Sequence, residues 1–187
     1  MALTPSSMIP LGTPAPDFVL PEPLSGETRR LQALRGGRAT VVMFICNHCP
    51  YVKHVQGELV RLARDYRVHG VGFVAISSND ATRYPEDAPP RMAAVAREQG
   101  YPFPYLYDED QTVARAYGAT CTPDFFVFDA ALACVYRGRL DAATPGNGLP
   151  VTGADLRAAL DAVLSDRPPA AEQWPSLGCS IKFREPA

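Results

Sequence analysis

Residues 44–54 read FICNHCPYVKH: an apolar strand end, two cysteines spaced as CxxC, a proline, then a lysine and two of the chain's three histidines. Three readings are open for Cys46 and Cys49: a redox-active dithiol, half of a metal site, or two ordinary small residues beside a turn. The flanking sequence narrows the choice.

Upstream, residues 39–45 (ATVVMFI) are apolar throughout and partly β-branched, which suits a central strand buried on both faces. Downstream, Val52, Val55, Leu59, Leu62 and Tyr66 recur at three- and four-residue steps. That period predicts an amphipathic helix, with Glu58, Arg61, Arg64 and Arg67 off its apolar face. Gly57 falls inside this helix and costs it about 1 kcal/mol relative to Ala, unless close packing needs it. His69-Gly70 ends the helix, and VGFVAIS (71–77) is a second buried strand. Strand, helix and strand in succession make a parallel βαβ unit.

Farther along, the sequence predicts a polar loop over 79–90, a helix at 91–99 stopped by Gly100 and an extended piece at 105–107. A short helix over 110–117 closes at Gly118, and Thr122-Pro123 precedes a strand at 124–129 with a hairpin partner at 133–139. The last helix spans 153–164, with Thr152 as its N-cap. Residues 1–38 form a first arm, with apolar residues at 18–20, a turn at Ser25-Gly26 and a strand at 28–31, the pattern of a hairpin. A second arm, 168–187, carries Trp174, Leu177, Ile181 and Phe183, residues that predict a tail docked on the rest. The expected organisation is one domain over 1–167, hairpin included, followed by that docked tail.

At 187 residues, 47% apolar and 20% charged, the composition is that of an ordinary globule. A net charge of −2 gives no electrostatic reason to expect nucleic acid or an anionic membrane surface as partner. No apolar run approaches the roughly 18 residues of a membrane span, and the N-terminus lacks the charged and apolar regions of a signal peptide. The expectation is a soluble, cytoplasmic protein. In that reducing compartment a close cysteine pair is more often catalytic or metal-binding than structural. Zinc wants four soft ligands, and no second CxxC or histidine beyond His69 completes a set, so neither metal nor cofactor is expected. Cys134, inside a predicted strand, reads as inert core.

A βαβ unit, two helical segments, a hairpin and a final helix, with CxxC at the first strand-to-helix junction and Thr122-Pro123 before a later strand, resemble the thioredoxin fold. That is an α/β fold with a central mixed sheet flanked by helices. More narrowly, CNHCPYVKH, GATCTPDFFVFD and PSLGCSIKF resemble the AhpC/TSA-related group, which contains peroxiredoxin-like proteins and thiol-disulfide isomerases. The resemblance implies that Cys46 attacks a disulfide and Cys49 resolves the mixed disulfide. It implies that Asn47, His48 and Pro123 tune the pair, with Pro123 a cis-proline facing it, and that the Thr122 backbone pairs with an extended substrate. Cys121, next to that proline, and Cys179, on the tail, are candidates for a third redox thiol. The partners implied are protein or small-molecule disulfides and a reducing or oxidising thiol partner.

At a helix N-terminus the Cys46 thiolate would be stabilised by free N–H groups and the macrodipole. Lowering a thiol pKa from about 8.5 to about 6.5 raises its attack rate only about threefold at pH 7, because nucleophilicity falls as the thiolate fraction rises. The larger effect is on potential, which places the dithiol between about −270 and −120 mV, less reducing than thioredoxin. Two family features are absent. Thr40 stands where thioredoxins carry a buried acid, leaving Lys53 and His54 as candidate proton acceptors. Met43 and Ala39 stand where peroxiredoxins place Thr or Ser and Pro, which sets a peroxidase second to disulfide exchange. A redox-sensing or scaffold protein with little turnover is the third reading.

Overall fold

The computed structural model describes residues 3–184, so the ends of both arms lie outside the described residues. The N-terminal arm holds strands β1 (Leu3–Pro5), β2 (Val19–Pro21) and β3 (Thr28–Arg30) and the short helix α1 (Leu31–Leu34). Then come β4 (Ala39–Phe44), α2 (Pro50–Arg67), β5 (Val71–Ser77), a 3-10 turn at Pro85–Asp87, α3 (Pro89–Glu98) and β6 (Tyr105–Tyr107). They are followed by α4 (Thr112–Ala116), β7 (Cys121–Thr122), β8 (Asp124–Asp129), β9 (Cys134–Gly138), α5 (Ala154–Leu164) and β10 (Leu177–Ser180).

The main sheet runs β6-β5-β4-β8-β9, with β4, β5 and β6 parallel and β8 and β9 antiparallel to their neighbours. All six residues of β4 are buried, because its alternating side chains feed two cores. Ala39, Val41 and Met43 pack with the apolar faces of α2 and α5 and with Met92 and Ala96 of α3. Val42 and Phe44 face the other way, onto Leu31, Val113, Tyr117 and the hairpin residues Phe18 and Leu20. With helices on both faces of a mixed sheet, this is the thioredoxin fold.

The predicted hairpin is β2–β3. The last helix is capped differently from the prediction: Gly153, in the left-handed conformation (φ 69°), is the N-cap, and Thr152 lies before it. The first-turn job passes to Asp141, whose Oδ2 accepts the Thr152 and Gly153 amides at 2.7 Å each. The C-terminal arm docks as a strand, β10, but Trp174 within that arm remains 52% exposed and Ile181 is the residue driven inside. β10 is the middle strand of a separate small sheet, β1-β10-β7, with no counterpart in the sequence reading. No helix among the described residues is long and apolar enough to cross a membrane.

Candidate active site

Because β4 and β5 are parallel, the loops after Phe44 and Ser77 leave the sheet at the same edge, where open α/β sheets place their sites. The first loop carries Cys46, Asn47, His48 and Cys49; the second leads to Asp87. Proline at the first helical position fixes the start of α2 and makes Cys49 its N-cap. Cys46 therefore stands three residues before the N-cap, outside the helix end where the sequence had placed it.

The Asn47 and His48 amides donate to Asp87 Oδ1 at 2.8 and 3.3 Å. His48 Nδ1 lies 2.6 Å from Asp87 Oδ2, and Asn79 Nδ2 donates to the same oxygen at 2.8 Å. Asp87, fully buried, thus collects the loop's donors. Burial alone would raise its pKa, but bonds from His48, Asn79 and the Asn47 amide hold it below the usual carboxylate range. His48 is raised in turn, first by Asp87 and against burial. Its ring stacks on Tyr84 with centroids 5.2 Å apart. Asn47 is fixed at its other end too, donating to the Glu86 carbonyl at 2.8 Å and accepting from Tyr105 at 3.2 Å.

Cys46 Sγ lies 3.4 Å from Thr122 Oγ1 and 4.0 Å from His48 Nδ1. Cys49 Sγ donates to the Thr122 carbonyl at 3.2 Å. The Thr122–Pro123 peptide bond is cis. Their surroundings shift the two thiols in opposite directions. The Cys46 thiol is held well above the usual range, first by its hydrogen bond with Cys49, then by burial and by Asp87. Cys49 is pulled down, first by Cys46, with burial opposing and Cys179 adding to the pull. This reverses the electrostatic expectation for Cys46: the amides nearest it are turned onto Asp87, whose carboxylate opposes a second negative charge. Both sulfurs are covered, Cys46 being 2% and Cys49 0% exposed.

Lys53 points to solvent and His54 is half-buried, with its Nε2 unpartnered. Among the described residues neither hydrogen-bonds to a cysteine sulfur, whereas His48 and Asp87 are titratable groups beside Cys46. Cys46, His48 and Asp87 also offer three ligand atoms within 4.8 Å of one another. The 2.6 Å His48–Asp87 separation is that of a hydrogen bond, whereas ligands on tetrahedral zinc at about 2.0–2.2 Å stand roughly 3.3 Å apart. The group as arranged shares a proton.

Cys121 is buried, its pKa raised by burial and by Asp124, and its sulfur is directed at the Pro123 carbonyl at 3.8 Å. Cys134 packs in the core on the far side of the sheet from the dithiol. Cys179, by contrast, belongs to the same apolar cluster as Cys46 and Cys49. The Thr122 backbone is already paired, with Cys179 of β10 directly opposite. Asp87 escaped the sequence reading, although it lies in a Pro-punctuated loop at the C-terminal end of a parallel strand, the edge that also carries CxxC.

A thioredoxin-fold sheet with two buried thiols at its first strand-to-helix junction, both facing Thr122, defines a thioredoxin-like thiol protein. Residues 11–136 match the AhpC/TSA family, and the chain belongs to that family. A crystal structure of an uncharacterized conserved protein from Geobacillus kaustophilus is 60% identical, with a TM-score of 0.98, over 100% of this chain and 99% of that one. The thiol:disulfide interchange protein DsbE of Allochromatium vinosum is 27% identical over 63% of this chain, a match spanning only 60% of that protein. Peroxidoxin BcpB from Mycobacterium tuberculosis shares the fold, at 21% identity and a TM-score of 0.63 over 84% of this chain and 97% of that one.

Proposed function

We propose that this protein is a thiol-disulfide oxidoreductase that exchanges electrons with protein or small-molecule disulfides through Cys46 and Cys49. The observation that carries the reading is the convergence of both sulfurs on Thr122 at the junction of β4 and α2, Cys46 Sγ at 3.4 Å from its hydroxyl and Cys49 Sγ at 3.2 Å from its carbonyl, beside the cis bond to Pro123. Cys46, on the loop before α2, attacks the substrate disulfide as its proton passes to Cys49. A mixed disulfide forms on Cys46 and one substrate thiolate leaves. Cys49 then attacks Cys46, closing the intramolecular disulfide and releasing the second substrate thiol. Asp87 holds His48 against the Cys46 side of the pair, where it can relay the proton shed by Cys49. A second thiol partner returns the pair to the reduced form. Holding one of the two thiols down stabilises the reduced state, so the potential is expected between about −270 and −120 mV.

The burial of Cys46 favours a second reading, a thiol-dependent peroxidase, because hydrogen peroxide needs far less opening than a protein disulfide. Turnover of a model disulfide with a thiol donor, set beside peroxide consumption with the same donor, separates the two. The proposal expects disulfide turnover, lost in Cys46→Ser. Peroxide consumption without disulfide turnover would transfer the site to the second reading, and neither activity would point to a sensor or scaffold.

A further inference from the structure

The C-terminal strand brings a third sulfur to the pair. β10 lies antiparallel to β7, with Cys179 opposite Thr122 and Ser180 opposite Cys121. Directly opposed residues of an antiparallel pair project from the same face. The Thr122 hydroxyl faces Cys46 at 3.4 Å, so Cys179 shares the dithiol's face and Cys121 does not. Accordingly Cys179 lies in the same buried cluster as Cys46 and Cys49, and it helps hold the Cys49 thiol down. The strand is firmly seated. Ile181 N donates to Thr120 O at 2.9 Å, Lys182 N to Asn79 Oδ1 at 2.7 Å, and Asp80 N to Lys182 O at 2.9 Å. Asn79 is the residue that also donates to Asp87, so the strand is tied to the proton-handling group. Gly178 allows the close approach: a Cβ there would stand 2.7 Å from the Thr122 carbonyl carbon and 3.2 Å from Pro123 N.

We propose that Cys179 is a third redox thiol of this site, exchanging with the Cys46–Cys49 disulfide to form a Cys49–Cys179 disulfide that fastens β10 over the dithiol. This rests on the oxidoreductase reading above. Cys179 sulfur attacks Cys49 sulfur; the Cys49–Cys179 bond forms, the Cys46–Cys49 bond breaks, and its electron pair leaves on Cys46. Cys46 takes up the proton that Cys179 gives up. One disulfide and one thiol stand on each side, so the exchange needs no oxidant and leaves no net charge in a buried site. Burial pushes the Cys179 thiol up to about 12, so its proton leaves only as Cys46 takes one up. The fastened form holds its oxidising equivalent on Cys49 while Cys46 returns to the thiol state beneath the strand.

The test is oxidation of the full chain by oxidised glutathione, followed by alkylation, proteolysis and mass spectrometric mapping. In Cys46→Ser one intramolecular disulfide is expected, joining Cys49 and Cys179, with loss of two alkylation sites. In the parent both the Cys46–Cys49 and Cys49–Cys179 linkages are expected, which keeps the test independent of that variant's folding. Cys179→Ser should retain only the Cys46–Cys49 linkage, and Cys49→Ser should lose both. A parent that forms Cys46–Cys49 while Cys179 stays alkylatable, or pairs with Cys121, overturns this inference and leaves the oxidoreductase reading standing. No disulfide in the parent overturns both.

Discussion

Replacing Gly178 by alanine probes the strand that covers the dithiol. Ordinary van der Waals contact begins at 3.4 Å, and the new Cβ would sit 0.7 Å inside that limit at the Thr122 carbonyl carbon and closer still to its oxygen. The obstacle is backbone, which cannot rotate away, so β10 must retreat from β7 by about 1 Å. A 2.9 Å hydrogen bond such as Ile181 N to Thr120 O then passes beyond bonding distance. Losing one or two such bonds removes about 1–2 kcal/mol of local docking energy. That raises the population of the lifted strand about 5–30-fold. Under native conditions iodoacetamide reaches Cys46 and Cys49 through this opening, so their alkylation should accelerate by the same factor. Cys134, in the opposite core, is reached only by global unfolding, so its alkylation should remain far slower than that of Cys46 and Cys49 in parent and variant alike. An unchanged rate at Cys46 and Cys49 would refute the claim that β10 is what covers them.

Other positions give independent expectations. Gly57 is exposed on α2 and a Cβ there meets only Arg61 Nη1 at 3.9 Å, so Gly57→Ala should stabilise the protein by about 1 kcal/mol, a rise in Tm of about 2–4 °C. Arg137 and Asp124 form a fully buried ion pair at 3.0 Å, and Arg137→Met should cost about 3–5 kcal/mol in urea unfolding at pH 8. Burial already lifts Asp124 to about 7; an acid raised on folding favours the folded state at low pH and loses that contribution as pH rises, so the deficit should be smaller at pH 5. His48 is raised above 6.5 by Asp87, so its contribution is complete below pH 6.5 and disappears as pH rises through the folded value. Asp87→Asn should remove that slope from stability measured across neutral and alkaline pH. A slope that persists in the variant would show that another group carries it.

What the sequence revealed was whatever local pattern dictates. Residues 39–45 read as a buried strand because both faces of β4 are covered, and the apolar stripe from Val52 to Tyr66 is the buried face of α2. Cys46, Cys49 and Thr122–Pro123 could be paired through the family resemblance. The charge state could not be read, because it depends on Asp87, which comes forty residues later and is oriented by a single 3-10 turn. β1 and β7 are three and two residues long, below any detectable period, and each exists only by pairing with β10, far away in the chain. For the same reason Cys179 could be flagged but not placed: its position follows from a register, not from its neighbours. Thr152 has the right side chain for an N-cap, yet Asp141 reaches the amides from another loop and the cap moves to Gly153.

Disulfide exchange through Cys46 and Cys49 requires that the two form a reversible redox pair. A glutathione redox titration of the full chain, with differential alkylation reporting each of the five cysteines separately, addresses it most directly. The expected result is a reversible two-electron transition between about −270 and −120 mV in which Cys46 and Cys49 lose alkylation together. If both stay alkylatable across that range while the protein remains folded, or if Cys46 oxidises without Cys49, the dithiol mechanism is contradicted.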